Sequence, residues 1–354
     1  MSKKNSNVIL KNGFKNFKNL SKVYSHFKSK LIKEKKRTFL IAVSGGPDSL
    51  ALTALSKALN YEKKIKFHYV LVDHQIRKDS SIEAQKVKKM LKAYNISVKV
   101  LKNNLKIETN IQSQARQIRY RILSKYCRKK NIKKILTAHN LEDQVETFFI
   151  RLSRGSGLTG LSSMSSTTNL SENIKLIRPL LDIKKKILVQ ITKKIFGTYF
   201  KDPSNKDKKY QRTKIRNLEK PLLQSGINYE QIYKSINHLA SSKATLDGFL
   251  FRIYKSNIRK KNSVILINYQ NFSSYNDDIK IRILNESIKK LKKNYYNPRS
   301  KKVVSLIRRI KGKDFKKTTL AGCLFYIKNG QLCIKREKSD IIWHNLSYLQ
   351  LNYN

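Results

Sequence analysis

The residues best equipped for chemistry fall in three short runs. The first is Ser44-Gly-Gly-Pro-Asp-Ser49, set between an apolar run, Phe39–Val43, and a helix-patterned stretch from Leu50 to Leu59. Gly45 and Gly46 permit backbone conformations closed to other residues and let a ligand approach closely. Pro47 suits the first turn of a helix, where its missing N–H is not needed. The free N–H groups and positive end of that helix then make an anion site, to which Ser44 and Ser49 add hydroxyls. Asp48 beside such a site makes sense if Mg²⁺ lies between it and a phosphate. No Gly-Lys-Ser/Thr follows, so this is not the phosphate loop of ordinary NTPases. The bland alternative, a tight strand-to-helix turn, needs neither two serines nor an acid.

The second run is Ala138-His139-Asn140-Leu-Glu142-Asp143-Gln-Val-Glu146. The chain holds only 23 Asp+Glu against 77 Lys+Arg, yet Glu142, Asp143 and Glu146 fall within five positions. Asp143 and Glu146 share a helix face. A capping arrangement, with Asn140 as N-cap and Asp143 at the third helical position, accounts for them equally well when taken alone. The third run is Val72-Asp73-His74, with Arg116 and Arg119 on a later helix; arginine's fork suits phosphate or carboxylate, although a solvated face is its usual fate. His139 is the better functional candidate of the two strand-end histidines, because it abuts the acids.

Strands must deliver these runs. Thr38 to Val43, Phe67 to Val72, Val98 to Leu101 and Lys134 to Ala138 read as strands, alternating with helical patterns at Leu50–Leu59, Ile82–Leu91, 111–129 and 141–152. That alternation predicts βαβ units and a parallel, Rossmann-like sheet, with ligands at the carboxyl ends of its strands. One amphipathic helix carrying Phe14, Phe17, Tyr24, Phe27 and Leu31 is expected ahead of the first strand. A helix capped by Asp182 should follow the Gly/Ser-rich loop at 155–166. Residues 217–291 read as mostly helical and basic. Near the end, Asn329-Gly330 between two apolar runs is a hairpin signal. The expected organisation is an α/β nucleotide-binding domain over 1–216, a basic helical region over 217–296 and a small α/β domain with a helix and hairpin over 297–354.

The net charge of +54 on 354 residues excludes little alone, since Lys can reflect coding bias, but a polyanionic partner would relieve the self-repulsion. Nucleic acid is the natural candidate. No run approaches the ~18 apolar residues of a membrane helix, and no secretory signal is expected at the start. Three scattered cysteines make neither a disulfide framework nor a C-x-x-C pair, which fits a reducing cytoplasm.

Ser-Gly-Gly-x-Asp-Ser resembles the PP-loop of the N-type ATP pyrophosphatases, which cleave ATP between its α- and β-phosphates. Val72-Asp-His-Gln-Ile-Arg77, Ala115-Arg-Gln-Ile-Arg-Tyr120, Ala138-His-Asn-Leu-Glu-Asp-Gln-Val-Glu-Thr147 and Asp202-Pro-Ser-Asn205 with Asp207, Arg212 and Arg216 resemble, in that order, the tRNA(Ile)-lysidine synthetases. Asn140, Glu142 and Thr213 depart from that family's usual residues. The resemblance implies an ATP- and Mg²⁺-dependent ligase joining L-lysine to the wobble cytidine of the CAU-anticodon isoleucine tRNA. It implies that Ser44, Gly45, Gly46, Pro47, Asp48, Ser49 and Asp73 bind the nucleotide, and that Asp48 and Asp143 hold the metal. It places Asp48, His139, Asp143 and Glu146 at the reaction, with Asp143 and Glu146 handling Mg²⁺ or the lysine ammonium. Arg116, Arg119, Arg212 and Arg216 would meet substrate. No membrane is implied, and no protein partner beyond a homodimer. The rival expectations are another PP-loop enzyme such as a tRNA cytidine thiolase, against which the missing C-x-x-C pair counts, and a non-catalytic basic RNA-binding protein.

Overall fold

The computed structural model describes residues 3–34, 37–77, 79–105, 111–171, 173–200, 211–292, 298, 300–312 and 314–337. They divide into two compact units, Met1–Ala240 and Ser241–Asn354.

The first unit opens with α1 (Lys3–Lys11) and α2 (Lys18–Ile32). The single N-terminal helix read from periodicity is two, because Gly13 and Phe14 take positive φ, 55° and 62°, which ends a right-handed helix. Its apolar stripe survives the break: Phe14, Tyr24, Phe27 and Leu31 are all buried, and Phe17 is partly buried against them. The βα alternation follows as β1 (Thr38–Val43), α3 (Pro47–Glu62), β2 (Lys66–Asp73), α4 (Ser80–Lys92), β3 (Val98–Lys102), α5 (Ile111–Lys129), β4 (Lys134–Leu136) and α6 (Leu141–Leu152). After α7 (Leu158–Leu161) come β5 (Thr167–Ser171), β6 (Ile174–Ile177), α8 (Lys185–Phe196), α9 (Gln211–Arg216), α10 (Glu219–Gln224) and α11 (Tyr229–Asn257), whose second half belongs to the other unit.

Among the described residues the strands form a six-stranded sheet in the order β3-β2-β1-β4-β6-β5, parallel except for β5. β1 shows why it sits centrally. Phe39, Ile41 and Val43 face one apolar core with α2, α3, α4 and α8, while Leu40 faces a second with Leu123 and Cys127 of α5. A strand buried on both faces needs a continuous apolar run, which 39–43 supplies. The chain winds outward from β1 through β2 to β3, then crosses back to β4 on the other side. The loops leaving β1 and β4 therefore diverge, and a crevice opens between them at the switch point.

In the second unit β7 (Ile258–Lys261) and β8 (Val264–Asn268) precede α12 (Tyr269–Ser274), α13 (Asp277–Leu291), α14 (Ser300–Ile310), β9 (Lys317–Leu320), β10 (Cys323–Lys328) and β11 (Gln331–Arg336). An antiparallel sheet runs β7-β8-β11-β10-β9. The Asn329-Gly330 signal holds: Lys328 pairs Gln331 across two residues with φ of 49° and 68°, the conformation of a type I′ turn. The stretch read as mostly helical is interrupted at 258–268 by the β7–β8 hairpin. Its turn, Asn262-Ser263, also has positive φ at both positions but lacks the glycine that would have announced it. Among the described residues no helix is long and apolar enough to cross a membrane.

Candidate active site

The loop after β1 is held from three sides. Gly45 has φ +82°, and a Cβ there would meet Val87 Cγ2 at 2.7 Å, so only glycine fits both the backbone and the space. Its carbonyl accepts the Phe200 N–H at 3.0 Å, and the Pro47 carbonyl accepts the Thr192 hydroxyl of α8 at 2.6 Å. Pro47 opens α3 with Gly46 as N-cap, and no side chain satisfies that cap. The first-turn N–H groups of Asp48 and Ser49 have no acceptor within the helix and lie at its positive end. The hydroxyls are satisfied within the loop: Ser49 Oγ receives Ser44 N–H and Ser44 Oγ, each at 3.1 Å, and donates to Gly46 O at 3.0 Å.

Asp48 Oδ1 is buried without a hydrogen-bond partner among the described residues. Burial pushes this carboxyl up to about 7; Asp143 and Glu142 add to the rise, while Lys185 and the Asn140 amide oppose it. The two strand-end loops thus converge, with Asp48 from one facing Asn140, Glu142 and Asp143 from the other. An orphaned carboxylate oxygen opposite a second carboxylate fits a hard divalent cation. Among the described residues no three of His, Cys, Asp and Glu close into a metal cage. Mg²⁺ needs none, because it keeps waters and takes one or two carboxylates together with substrate phosphates.

The capping reading of the acids is also real. Asn140 Oδ1 accepts Asp143 N–H at 2.9 Å, and Asp143 Oδ2 accepts Asn140 N–H at 3.1 Å, a complete capping box on α6. Only one Asp143 oxygen is committed to it. Glu142 has a different task. Both of its oxygens accept the Lys185 N–H, at 3.0 and 2.9 Å, so it caps α8 from a distant part of the chain. Asp182 was expected to cap that helix; it instead pairs with Lys30 and His26. Glu142→Ala should lower stability by about 1 kcal/mol, the worth of an N-cap, which a denaturant melt of the two proteins would measure.

Glu146 is 2% exposed and binds Arg216 through two contacts, Nε–Oε1 at 2.5 Å and Nη2–Oε2 at 3.3 Å. Burial raises its carboxyl above the ordinary range in spite of that guanidinium. His139 accepts or donates at Nδ1 with the Thr137 hydroxyl, 2.9 Å away. Burial lowers its pKa well below the ordinary value, and Arg116, Arg178, Arg212 and Arg119 lower it further, so the imidazole is neutral at working pH. Three of the four arginines proposed from sequence therefore act electrostatically on His139, while the fourth, Arg216, serves Glu146. Asp73 is buried at the end of β2. Burial disfavours its charge, but hydrogen bonds from Ser81, Gln75 and Ser80 prevail and hold it below the usual carboxylate range. Asp202, Asn205 and Asp207 lie outside the described residues.

Two arginines escaped the sequence reading. Arg178, 5% exposed, donates to Ser165 O at 2.7 Å and Thr168 Oγ1 at 2.9 Å. Arg151 donates to Gly160 O at 2.7 Å and Ser163 O at 2.8 Å, and so braces the glycine loop against α6. Neither lies in a run of chemical residues, and their partners, three backbone carbonyls and the Thr168 hydroxyl, are not announced by any side-chain pattern.

Comparison with known proteins bears on this arrangement. The PP-loop domain family matches residues 18–222. A tRNA(Ile)-lysidine synthase of Wolbachia pipientis wMel is 33% identical over 308 residues, covering 85% of this chain and 71% of its own. One from Orientia tsutsugamushi is 39% identical over 202 residues, 55% of this chain and 45% of its own. Among solved structures, a U34-tRNA thiolase from Methanococcus maripaludis superposes with a TM-score of 0.52 at 18% identity, over 62% of this chain and 79% of its own, a likeness of fold. The match over both strand-end loops and the acid cluster, carried through most of the chain by the Wolbachia protein, settles the kinship: the chain belongs to the PP-loop ATP-binding proteins and, among them, to the tRNA(Ile)-lysidine synthases.

Proposed function

We infer that the chain uses ATP to activate the wobble cytidine of a CAU-anticodon isoleucine tRNA and then joins L-lysine to C2 of that base. The observation that carries this reading is the meeting of an anion-binding helix start with an unpaired carboxylate and a second acid at one switch point, in a chain with lysidine-synthase kin. In the first step the C2 carbonyl oxygen of the cytidine attacks the α-phosphate, the α–β bond breaks and pyrophosphate leaves. In the second, the ε-amine of lysine attacks C2, the C2–O bond breaks, AMP departs with the oxygen, and the amine gives up a proton.

The residues divide this work by charge. The first-turn N–H groups of α3, with Ser44 and Ser49 freed from each other, would hold the departing pyrophosphate. Asp48 and Asp143 would hold Mg²⁺, which offsets charge on the phosphates when bound. Asp73, fixed by its own turn, would border the nucleotide. Neutral His139 and the arginines acting on it would face the anionic backbone of the RNA, and Glu146, held by Arg216, would orient the incoming lysine. The base must be accessible, which an anticodon loop provides. Basic residues after Asn217 would grip further phosphates, so affinity for tRNA should fall steeply with salt. The setting that fits this chemistry is the cytoplasm.

Incubation with ATP, Mg²⁺, labelled lysine and unmodified isoleucine tRNA tests the reading. AMP and pyrophosphate should form, the label should enter the tRNA, and omitting lysine should leave an adenylated tRNA. Release of ADP, or no label in the tRNA, would refute it.

A further inference from the structure

His74 is the strand-end histidine to which the reaction above gives no task. It follows Asp73 at the end of β2, and its backbone is tied down from the end of β3. Asn103 N–H donates to the Asp73 carbonyl at 2.8 Å, and the Asn103 side-chain amide donates to the His74 carbonyl at 3.4 Å. The ring meets Arg119 of α5, whose Nε–H donates to His74 Nε2 at 3.4 Å. A guanidinium can only donate, so Nε2 must accept and the ring proton sits on Nδ1. Nδ1 is buried, with no hydrogen-bond partner among the described residues. Burial first, and Arg119 second, bring the imidazole down to about 4 against the pull of Asp73, so the ring stays neutral and able to accept at working pH.

Two observations separate this contact from ordinary packing. A buried N–H left unpaired costs about 1–3 kcal/mol. A histidine kept for stability would satisfy both of its nitrogens, whereas this one holds its orientation toward Arg119 at a loss. The second observation is where Arg119 acts. It is bonded to the end of β2, and its charge also helps to lower the pKa of His139 at the end of β4. β2 and β4 flank β1 in the sheet, so that charge is felt on both sides of the switch point.

Arginine recognises a phosphate through a planar fork, which works only when the plane is aimed. A bond at Nε fixes that plane. Ordering a long side chain during binding costs about 0.5–1.5 kcal/mol, and a contact already made in the free protein removes part of that cost. We propose that His74 is a positioning residue: by accepting Arg119 Nε–H it sets the plane of the guanidinium before tRNA arrives, so that the fork meets the anionic RNA backbone beside the reacting base. This rests on the reading in which tRNA is the substrate.

The test compares four variants of the full chain with the unaltered protein. His74→Phe removes the acceptor and keeps a ring. His74→Gln offers Oε1 near the place of Nε2. Arg119→Ala removes the group to be positioned, and the fourth variant combines His74→Phe with Arg119→Ala. Kd for unmodified isoleucine tRNA at fixed salt, adenylation with ATP and Mg²⁺, and melting temperature are measured for each. His74→Phe should weaken tRNA binding roughly fivefold, the size of one hydrogen bond, with KM for ATP moving far less. His74→Gln should restore most of the loss. In the Arg119→Ala background the same Phe change should cost almost nothing, because a positioning residue acts through its partner. The melting temperature should not fall with His74→Phe, since the orphaned N–H leaves with the imidazole. Unchanged tRNA binding in His74→Phe would overturn the proposal, as would a Gln variant as weak as Phe or equal losses with and without Arg119. If the unaltered protein forms no adenylated tRNA, the reading beneath fails and this role falls with it. If it does, and His74→Phe costs the same in both backgrounds, the positioning alone is refuted.

Discussion

Asp143→Asn should reduce tRNA adenylation by about 100-fold or more and leave the melting temperature almost where it was. The substitution is close to surgical at this position. Asp143 Oδ2 accepts one hydrogen bond, from Asn140 N–H, and an asparagine Oδ1 can accept it equally well. The backbone half of the capping box, Asp143 N–H to Asn140 Oδ1, does not involve the side chain at all. What disappears is one negative charge facing Asp48. Groups aimed at charge that develops during reaction are worth on the order of 10²–10³ in rate. Asp143→Ala, by contrast, should also lose about 1 kcal/mol of stability through the cap. Pyrophosphate release and thermal melts on the same preparations separate the two roles. A full rate with Asn would leave Asp143 as a cap and nothing more.

Asp48→Asn should do something rarer: stabilise the ligand-free protein while disabling it. The carboxyl titrates near 7 when folded and near 3.8 as its ordinary value. The folded state thus holds on to a proton that the unfolded chain has already lost between those values. Stability contributed by this group is therefore greatest at low pH and falls as pH rises from about 4 to about 7, then stays down. The loss is on the order of a few kcal/mol, since each pKa unit corresponds to about 1.4 kcal/mol. Asparagine carries no charge and escapes it. The difference in melting temperature, variant minus unaltered protein, should be well under half as large at pH 5 as at pH 8 and should vanish below about pH 4, with adenylation reduced by about 100-fold. The same comparison in Mg²⁺ and ATP should shrink the gap, because ligands that bind the folded state alone stabilise it. A gap independent of pH would mean that Asp48 is not the buried, orphaned acid described above.

Much of the site was legible because its signals are local. Gly45, Pro47 and Asp48 are neighbours, and their roles as a positive-φ turn, a first-turn residue and an acid beside a helix start follow from residue type. The capping box of Asn140 and Asp143 is equally a matter of spacing. Strand alternation placed both runs at the same sheet edge, and the observed order β3-β2-β1-β4-β6-β5 puts them side by side. Partners far away in sequence were not legible. Nothing near Glu142 indicates that its carboxylate ends on Lys185 N–H, and nothing near Asp182 indicates that Lys30 and His26 take it. Arg151 binds backbone carbonyls, and Arg178 binds one carbonyl and the hydroxyl of a threonine ten residues away, which leave no trace in composition. The pairing of Glu146 with Arg216 joined two residues singled out for separate reasons. The β7–β8 hairpin was hidden because Asn262-Ser263 adopts a turn usually marked by glycine, inside a stretch whose lysines suit a helix as well as a strand.

Among the described residues β7 lies at one edge of its sheet, and its Arg259, Lys260 and Lys261 are exposed. An unpaired edge is a template onto which a strand from another molecule can add, the first step of aggregation. Three consecutive cations make a second copy of this basic chain a poor candidate for that addition, because edge-to-edge approach brings like charges together. That protection is electrostatic and so depends on the medium. It weakens with ionic strength, and it weakens further wherever RNA neutralises the same side chains. Crowding many copies onto one polyanion would remove the barrier that keeps them apart in dilute solution, so colloidal stability and occupancy of RNA are tied together in this fold.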